Sequence, residues 1–208
     1  MLASAPRLTS GPVTRRQLVL TLALLLLIPL RALAHEAGAS AGAGFLTGFM
    51  HPIRGLDHVL AMFAIGLWGS QLGMPGIWVL PVAFPLVMAF GGALGIAGVP
   101  LPGTELGIAL SVVALGSVIA MNLRPPLAAA LALAAFFAIF HGHAHGMELP
   151  GKTGAIAFSA GFVLATGLIH LSGIGVGLVT HLPRGPALVR VGGGAIALSG
   201  LYLAAQLV

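Results

Sequence analysis

Long apolar runs dominate this chain of 208 residues, and from residue 55 onward only short polar interruptions separate them. Each run is close to the about 20 mostly apolar residues that a helix needs to cross the hydrocarbon core of a bilayer. Charged residues make up only 6% of the chain, against about 25% in soluble domains, so a water-facing surface cannot be assembled. The sequence therefore predicts an all-α, polytopic membrane protein.

The lengths of the runs predict one six-span domain over residues 35–208. The predicted spans are Gly55–Leu72, Ile77–Gly98, Glu105–Leu123, Pro126–His141, Thr153–Thr180 and Pro186–Val208. The fourth run is short, so we expect this span to extend into the histidine-rich segment after it. Gly44–Met50 is too short to cross and is interpreted as a re-entrant or interfacial turn. Gly91 and Gly95 have the small-xxx-small spacing of a helix-packing face.

The N-terminal segment predicts a secretory signal peptide over residues 1–34. Arg15 and Arg16 precede the apolar run Leu18–Leu30, and Ala32-Leu33-Ala34 has the A-x-A pattern of a cleavage site. We expect cleavage after Ala34; the alternative is an uncleaved first helix.

The charges orient the predicted spans. If the mature N-terminus is outside, then Arg124, Arg184 and Arg190 all fall in cytoplasmic turns, as the positive-inside rule requires. The prediction is a multi-pass protein of the bacterial cytoplasmic membrane. The net charge of +5 does not indicate a nucleic-acid partner, because the nine Lys and Arg residues are scattered.

Acidic and histidine side chains gather at the outer side of this topology. All four acidic residues fall there, and so do His51, His58, His141, His143 and His145. Ionisable groups at membrane depth cost about 2.5–3.5 kcal/mol on insertion scales and usually mark a functional path. With no cysteine in the chain, imidazole and carboxylate are the strong ligands available, and together they suit Ni, Co, Zn or Cu(II). The predicted metal ligands are His51, Asp57, His58, Glu105, His141, His145 and Glu148.

Helical spacing sharpens this prediction. His51 precedes Pro52, so we expect His51 to cap a helix and to share a face with His58, two turns later. If the second cluster continues the fourth span, then His141, His145 and Glu148 lie on one face and His143 points elsewhere. In a loop, all three histidines of that cluster could converge on an ion.

Simpler interpretations exist for single residues. Asp57 could pair with Arg54, and Glu105 could be a favourable charge at a helix N-terminus. His170 and His181 could be packing or interfacial side chains. His170 could also lie on an inward path for the ion.

Two segments carry a specific resemblance. Residues 51–58 read HPIRGLDH, and residues 140–148 read FHGHAHGME. They resemble the two signature motifs of the HupE/UreJ family, H-P-x-x-G-x-D-H and F-H-G-x-A-H-G-x-E, and His143 occupies a variable position. The resemblance implies a secondary nickel permease, in some members for cobalt, that supplies metal to hydrogenase or urease.

The expected function is therefore import of Ni²⁺ as a transported substrate, by a non-enzyme with no permanently bound cofactor. There is no G-x-x-x-x-G-K-[ST] loop, so uptake would use the membrane potential, proton exchange or facilitated diffusion. Two rival hypotheses stay open. One is an intramembrane zinc-dependent hydrolase, although H-E-x-x-H is absent. The other is a b-haem electron carrier with two axial histidines.

Overall fold

The structure is a computed structural model that describes residues 39–148 and 155–207. Within these ranges the chain forms seven α-helices and one 3₁₀ turn, and no strand. The helices are α1 (Ala39–Arg54), α2 (Leu56–Leu72), α3 (Gly76–Ile96), α4 (Thr104–Ala120), α5 (Leu127–Glu148), α6 (Ala155–Gly177) and α7 (Gly185–Ala205). The 3₁₀ turn Leu178–His181 continues α6. The predicted signal peptide lies outside the described residues.

Four helices among the described residues are long and apolar enough to cross a membrane: α3, α5, α6 with its 3₁₀ extension, and α7. The outward face of α3 is apolar and therefore suited to lipid rather than to water. Trp78, Val82, Leu86 and Phe90 recur at every fourth position, and each is more than half exposed. A continuous stripe of large apolar side chains belongs against lipid tails rather than water. The chain is therefore a multi-pass, helical membrane protein.

Helix α2 lies at the centre of the helix bundle that residues 42–207 form. It packs against α3, α4 and α6, and its side chains Met62, Ile65 and Trp68 are fully buried. Such an apolar helix with no polar face is typical of a segment surrounded by other helices. The start of α2 is thus held at the middle of the bundle, where groups from several helices can reach it.

Glycines allow α3 and α5 to pack with their backbones in contact. A Cβ atom on Gly91 would meet the backbone of Ile139, and one on Gly95 would meet the backbone of His143. The predicted packing face of Gly91 and Gly95 is confirmed. Residue numbers rise together along the contact, so α3 and α5 run parallel.

The other two close pairs have defined directions as well. Gly66 of α2 lies against His170 of α6. Further along the same two helices, Ser70 of α2 lies against Gly177 of α6, so α2 and α6 run parallel. The α4–α7 pair is antiparallel, because the numbers run in opposite directions along it. Its contacts pair Gly116 with Ala197 and Gly200 with Val113.

The start of the bundle differs from the sequence prediction. Gly44–Met50 lies inside the 16-residue helix α1, so the interpretation as a turn is wrong. His51 and Pro52 lie in the last turn of α1, and Gly55 is the N-cap of α2 in an extended conformation. His51 therefore caps no helix and shares none with His58. The break falls at Gly55, which is extended, and a Cβ there would lie 2.8 Å from both Asp57 Oδ1 and His58 Nδ1.

The expected extension of the fourth span is confirmed, since α5 is helical through the histidine-rich segment to Glu148. The fifth predicted span corresponds to α6 and its 3₁₀ turn, although Thr153, its expected start, lies outside the described residues.

Candidate metal site

Six of the seven predicted ligands, all except Glu105, come from three helix ends that meet at one end of the bundle. His51 belongs to the last turn of α1, Asp57 and His58 to the first turn of α2, and the second cluster to the last two turns of α5. The break at Gly55 separates the end of α1 from the start of α2. Close backbone packing of α3 against α5 holds the third in place.

An outer group contains His51, His145 and Glu148. His51 Nε2 lies 2.9 Å from His145 Nδ1 and 3.2 Å from Glu148 Oε2. One ligand atom from each residue lies within 4.8 Å of the others, which is a spacing that a metal ion can bridge. The Glu148 side chain is 61% exposed, so this group opens to the surface. Burial lowers the pKa of His51, although Glu148 opposes the shift, so His51 is neutral and able to bind metal at pH 7.

An inner group contains His58, His141 and His145. The His58 ring centroid lies 4.9 Å from that of His141 and 4.4 Å from that of His145. Three buried nitrogens of this group have no hydrogen-bonding partner within the described ranges: His58 Nε2, His141 Nδ1 and His145 Nε2. Leaving a buried polar atom unpaired costs about 1–3 kcal/mol, so three in one cluster indicate a ligand.

In His58 and His141, a hydrogen bond at one ring nitrogen decides which of the two ring nitrogens keeps its lone pair. Asp57 Oδ1 lies 2.8 Å from His58 Nδ1 and also accepts the backbone N–H of His58 at 2.8 Å. A carboxylate can only accept, so His58 carries its proton on Nδ1 and leaves Nε2 free to bind metal. Asp57 therefore orients a ligand in this geometry.

Ser111 does the same for His141. Its hydroxyl donates to the Ile108 carbonyl at 2.6 Å and lies 2.8 Å from His141 Nε2. Since the hydroxyl proton is used, Ser111 accepts the N–H of His141 Nε2, and Nδ1 is left with a lone pair. The sequence analysis missed Ser111, because a serine in an apolar span carries no signal without its neighbour on the next helix.

Aromatic rings enclose the histidines. Phe162 packs edge-on to His145 with centroids 4.6 Å apart, and Phe158 packs edge-on to His51 at 5.4 Å. Phe84 packs edge-on to His141 at 5.7 Å. These rings restrict the orientations of the imidazoles and keep their surroundings apolar.

Two other residues lie apart from the cluster. His143 Nε2 lies 2.7 Å from the Val99 carbonyl, and its ring is turned toward the α3–α4 connection. The helical phase that separated His143 from His141 and His145 is thus confirmed. Glu105 is exposed in the first turn of α4, and no contact within the described residues joins it to the histidines. Its place in the metal path stays a prediction.

Comparison with known proteins agrees with the motifs. The family model described as HupE / UreJ protein matches residues 22–203. The chain belongs to the HupE/UreJ family. A curated relative, Protein HupE of Rhizobium leguminosarum bv. viciae, is 43% identical over 176 residues, which cover 85% of this chain and 92% of that protein. No solved structure matches the chain significantly. The HupE/UreJ match contains both histidine motifs, so the family motifs and the converging side chains are the same residues.

Proposed function

We propose that this HupE/UreJ protein is a secondary permease that imports Ni²⁺, with Co²⁺ as the next candidate, for metalloenzyme maturation. The observation that carries the proposal is the outer group of His51, His145 and Glu148, whose ligand atoms lie within 4.8 Å of one another. The His58 and His141 rings pack beside it, and each has a buried nitrogen without a partner among the described residues. Glu148 and His51 would capture the hydrated ion, and His58, His141 and His145 would replace part of its water shell.

The donor set argues for a borderline transition metal. Neutral imidazole suits Ni²⁺, Co²⁺, Zn²⁺ and Cu²⁺, whereas Mg²⁺ and Ca²⁺ prefer oxygen shells. The two nearby carboxylates, Asp57 and Glu148, can offset the charge of a dication. Three nitrogens with no closed cage also leave open positions, as a transport site that must release its ion requires. The choice of nickel among these metals rests on the family.

We also propose six spans, α2 to α7, in the cytoplasmic membrane with the mature N-terminus outside. A chain that crosses at each of these helices must have α2 parallel to α6, α3 parallel to α5, and α4 antiparallel to α7. All three close pairs have these directions. Arg124, Arg184 and Arg190 then lie at the cytoplasmic ends, as the positive-inside rule favours. The site would face the periplasm.

The proposal makes the protein a transporter rather than an enzyme. The family match gives no support to an intramembrane zinc hydrolase or a haem carrier.

Uptake of radiolabelled nickel and cobalt tests the proposal. Cells that carry the gene should accumulate nickel above an empty-vector control, and His58→Gln should abolish the difference at equal membrane abundance. His181→Gln is the matched control, because His181 is exposed in the 3₁₀ turn away from the cluster. No metal accumulation above the empty vector, with the protein present in the membrane, would refute the permease.

A further inference from the structure

We infer that Thr166 and His170 on α6 form a second, deeper stop for the metal ion. This inference rests on the permease proposed above and adds a site that lies outside both motifs. Thr166 is 1% and His170 is 2% exposed. Four residues apart on one helix, they lie on the same face, one turn from each other.

Each side chain has a buried polar atom without a partner among the described residues. Thr166 Oγ1 and His170 Nε2 make no hydrogen bond to any described residue. A helical hydroxyl usually donates to a carbonyl in the turn before it. Thr47, Ser172 and Ser199 do so in this chain, at 2.7, 2.7 and 3.0 Å. Thr166 does not, so its oxygen is oriented for something other than its own helix.

A cavity connects Thr166, the outer member of the pair, to the histidine cluster. It has a volume of about 290 Å³, lies between α3, α5 and α6, and is lined by both His145 and Thr166. Two residues that line this cavity thus carry unpaired polar atoms, namely His145 Nε2 and Thr166 Oγ1. Its volume is large enough for an ion, and its wall is mostly apolar apart from His145, Ser159 and Thr166.

Phe84 links the two histidine levels on the other side. Its ring packs edge-on to His141 with centroids 5.7 Å apart and edge-on to His170 at 6.0 Å. The Phe84 ring therefore packs against both the inner group and His170.

The position of His170 along the bundle indicates what the pair could do for the ion. His170 packs level with Gly66, whose Cβ would meet the His170 carbonyl. Gly66 follows His58 by two turns, which places this level about 12 Å further along α2. An ion that left the outer cluster would otherwise face most of an apolar core of about 30 Å with no ligand. A single imidazole and a hydroxyl bind a borderline dication weakly, as a stop that must release it requires.

Kinetics of nickel uptake separate a deeper stop from a packing role. His170→Leu and Thr166→Val remove one donor atom each from an apolar setting. We expect the maximal uptake rate to fall by about tenfold or more, as for lost partners of a metal site. The half-saturating nickel concentration and the nickel-dependent rise in Tm of the purified protein should not change, because the capture site is intact. Thr166→Val nearly preserves the shape of the side chain, so this variant tests the inference even if the His170→Leu protein does not accumulate in the membrane.

The controls are Ser172→Ala, on the exposed side of α6, and His181→Gln. Both should transport at the wild-type rate. If the wild type transports and the Thr166 and His170 variants match it, the deeper stop is refuted while the permease stands. Loss of the nickel-dependent rise in Tm would place His170 in the capture site and also refute a separate stop. No uptake by the wild type would refute the permease itself.

Discussion

The contact between α3 and α5 has no room for a methyl group at Gly142. A Cβ there would overlap the carbonyl oxygen of Met88 and would lie 2.9 Å from the backbone nitrogen of Gly92. Backbone atoms cannot rotate away, so Gly142→Ala must push the two helices apart. Overpacking costs about 1–3 kcal/mol, and we take the upper end because the obstacle is backbone. Alanine returns about 1 kcal/mol of helix propensity, which leaves about 2 kcal/mol of destabilisation.

The matched control lies across the same interface. A Cβ on Gly92 would lie 3.4 Å from the Gly142 carbonyl oxygen, which is ordinary contact. Gly92→Ala should therefore gain up to about 1 kcal/mol from helix propensity. At about 2–4 °C per kcal/mol, the Tm of purified Gly142→Ala should fall by about 4–8 °C, and that of Gly92→Ala should stay level or rise.

The function of the two variants should differ in the same way. The α5 helix carries His141 and His145, so a shift on the order of 1 Å loosens the ligand cluster, and nickel uptake by Gly142→Ala should be lost. Gly92→Ala should keep uptake. Equal Tm values and equal uptake for the two variants would show that α3 and α5 do not pack this closely, and would refute the reasoning.

Three further predictions concern the site and the topology. His145→Ala should abolish nickel uptake, whereas His143→Ala should lose only a bond of about 1 kcal/mol to the α3–α4 connection and keep uptake; equal losses would contradict the ligand assignment. Glu105→Gln should lower uptake if this exposed acid guides the ion inward, and wild-type uptake would make it a helix-end charge. An impermeant thiol reagent should label Met147→Cys but not Pro183→Cys in intact cells, and the reverse pattern would overturn the orientation.

The helices were predictable because their lengths and apolar runs are local properties of the chain. The phase of α5 was predictable for the same reason: at 100° per residue, His141 and His145 share a face that His143 does not. The extension of α5 to Glu148, against two glycines of low helix propensity, was expected and is confirmed. The two motifs were sufficient to indicate the family, which the family match then showed.

Only the tertiary structure decided which nitrogens face one another. The break at Gly55 separates His51 from His58, because this residue is extended and the two histidines lie on different helices. The lone pairs of His58 and His141 depend on Asp57 and on Ser111, and Ser111 comes from another helix. Periodicity gives the face of a residue on its own helix but not the helix that this face meets. Close glycine contacts set those neighbours here, as between α3 and α5 and between α2 and α6.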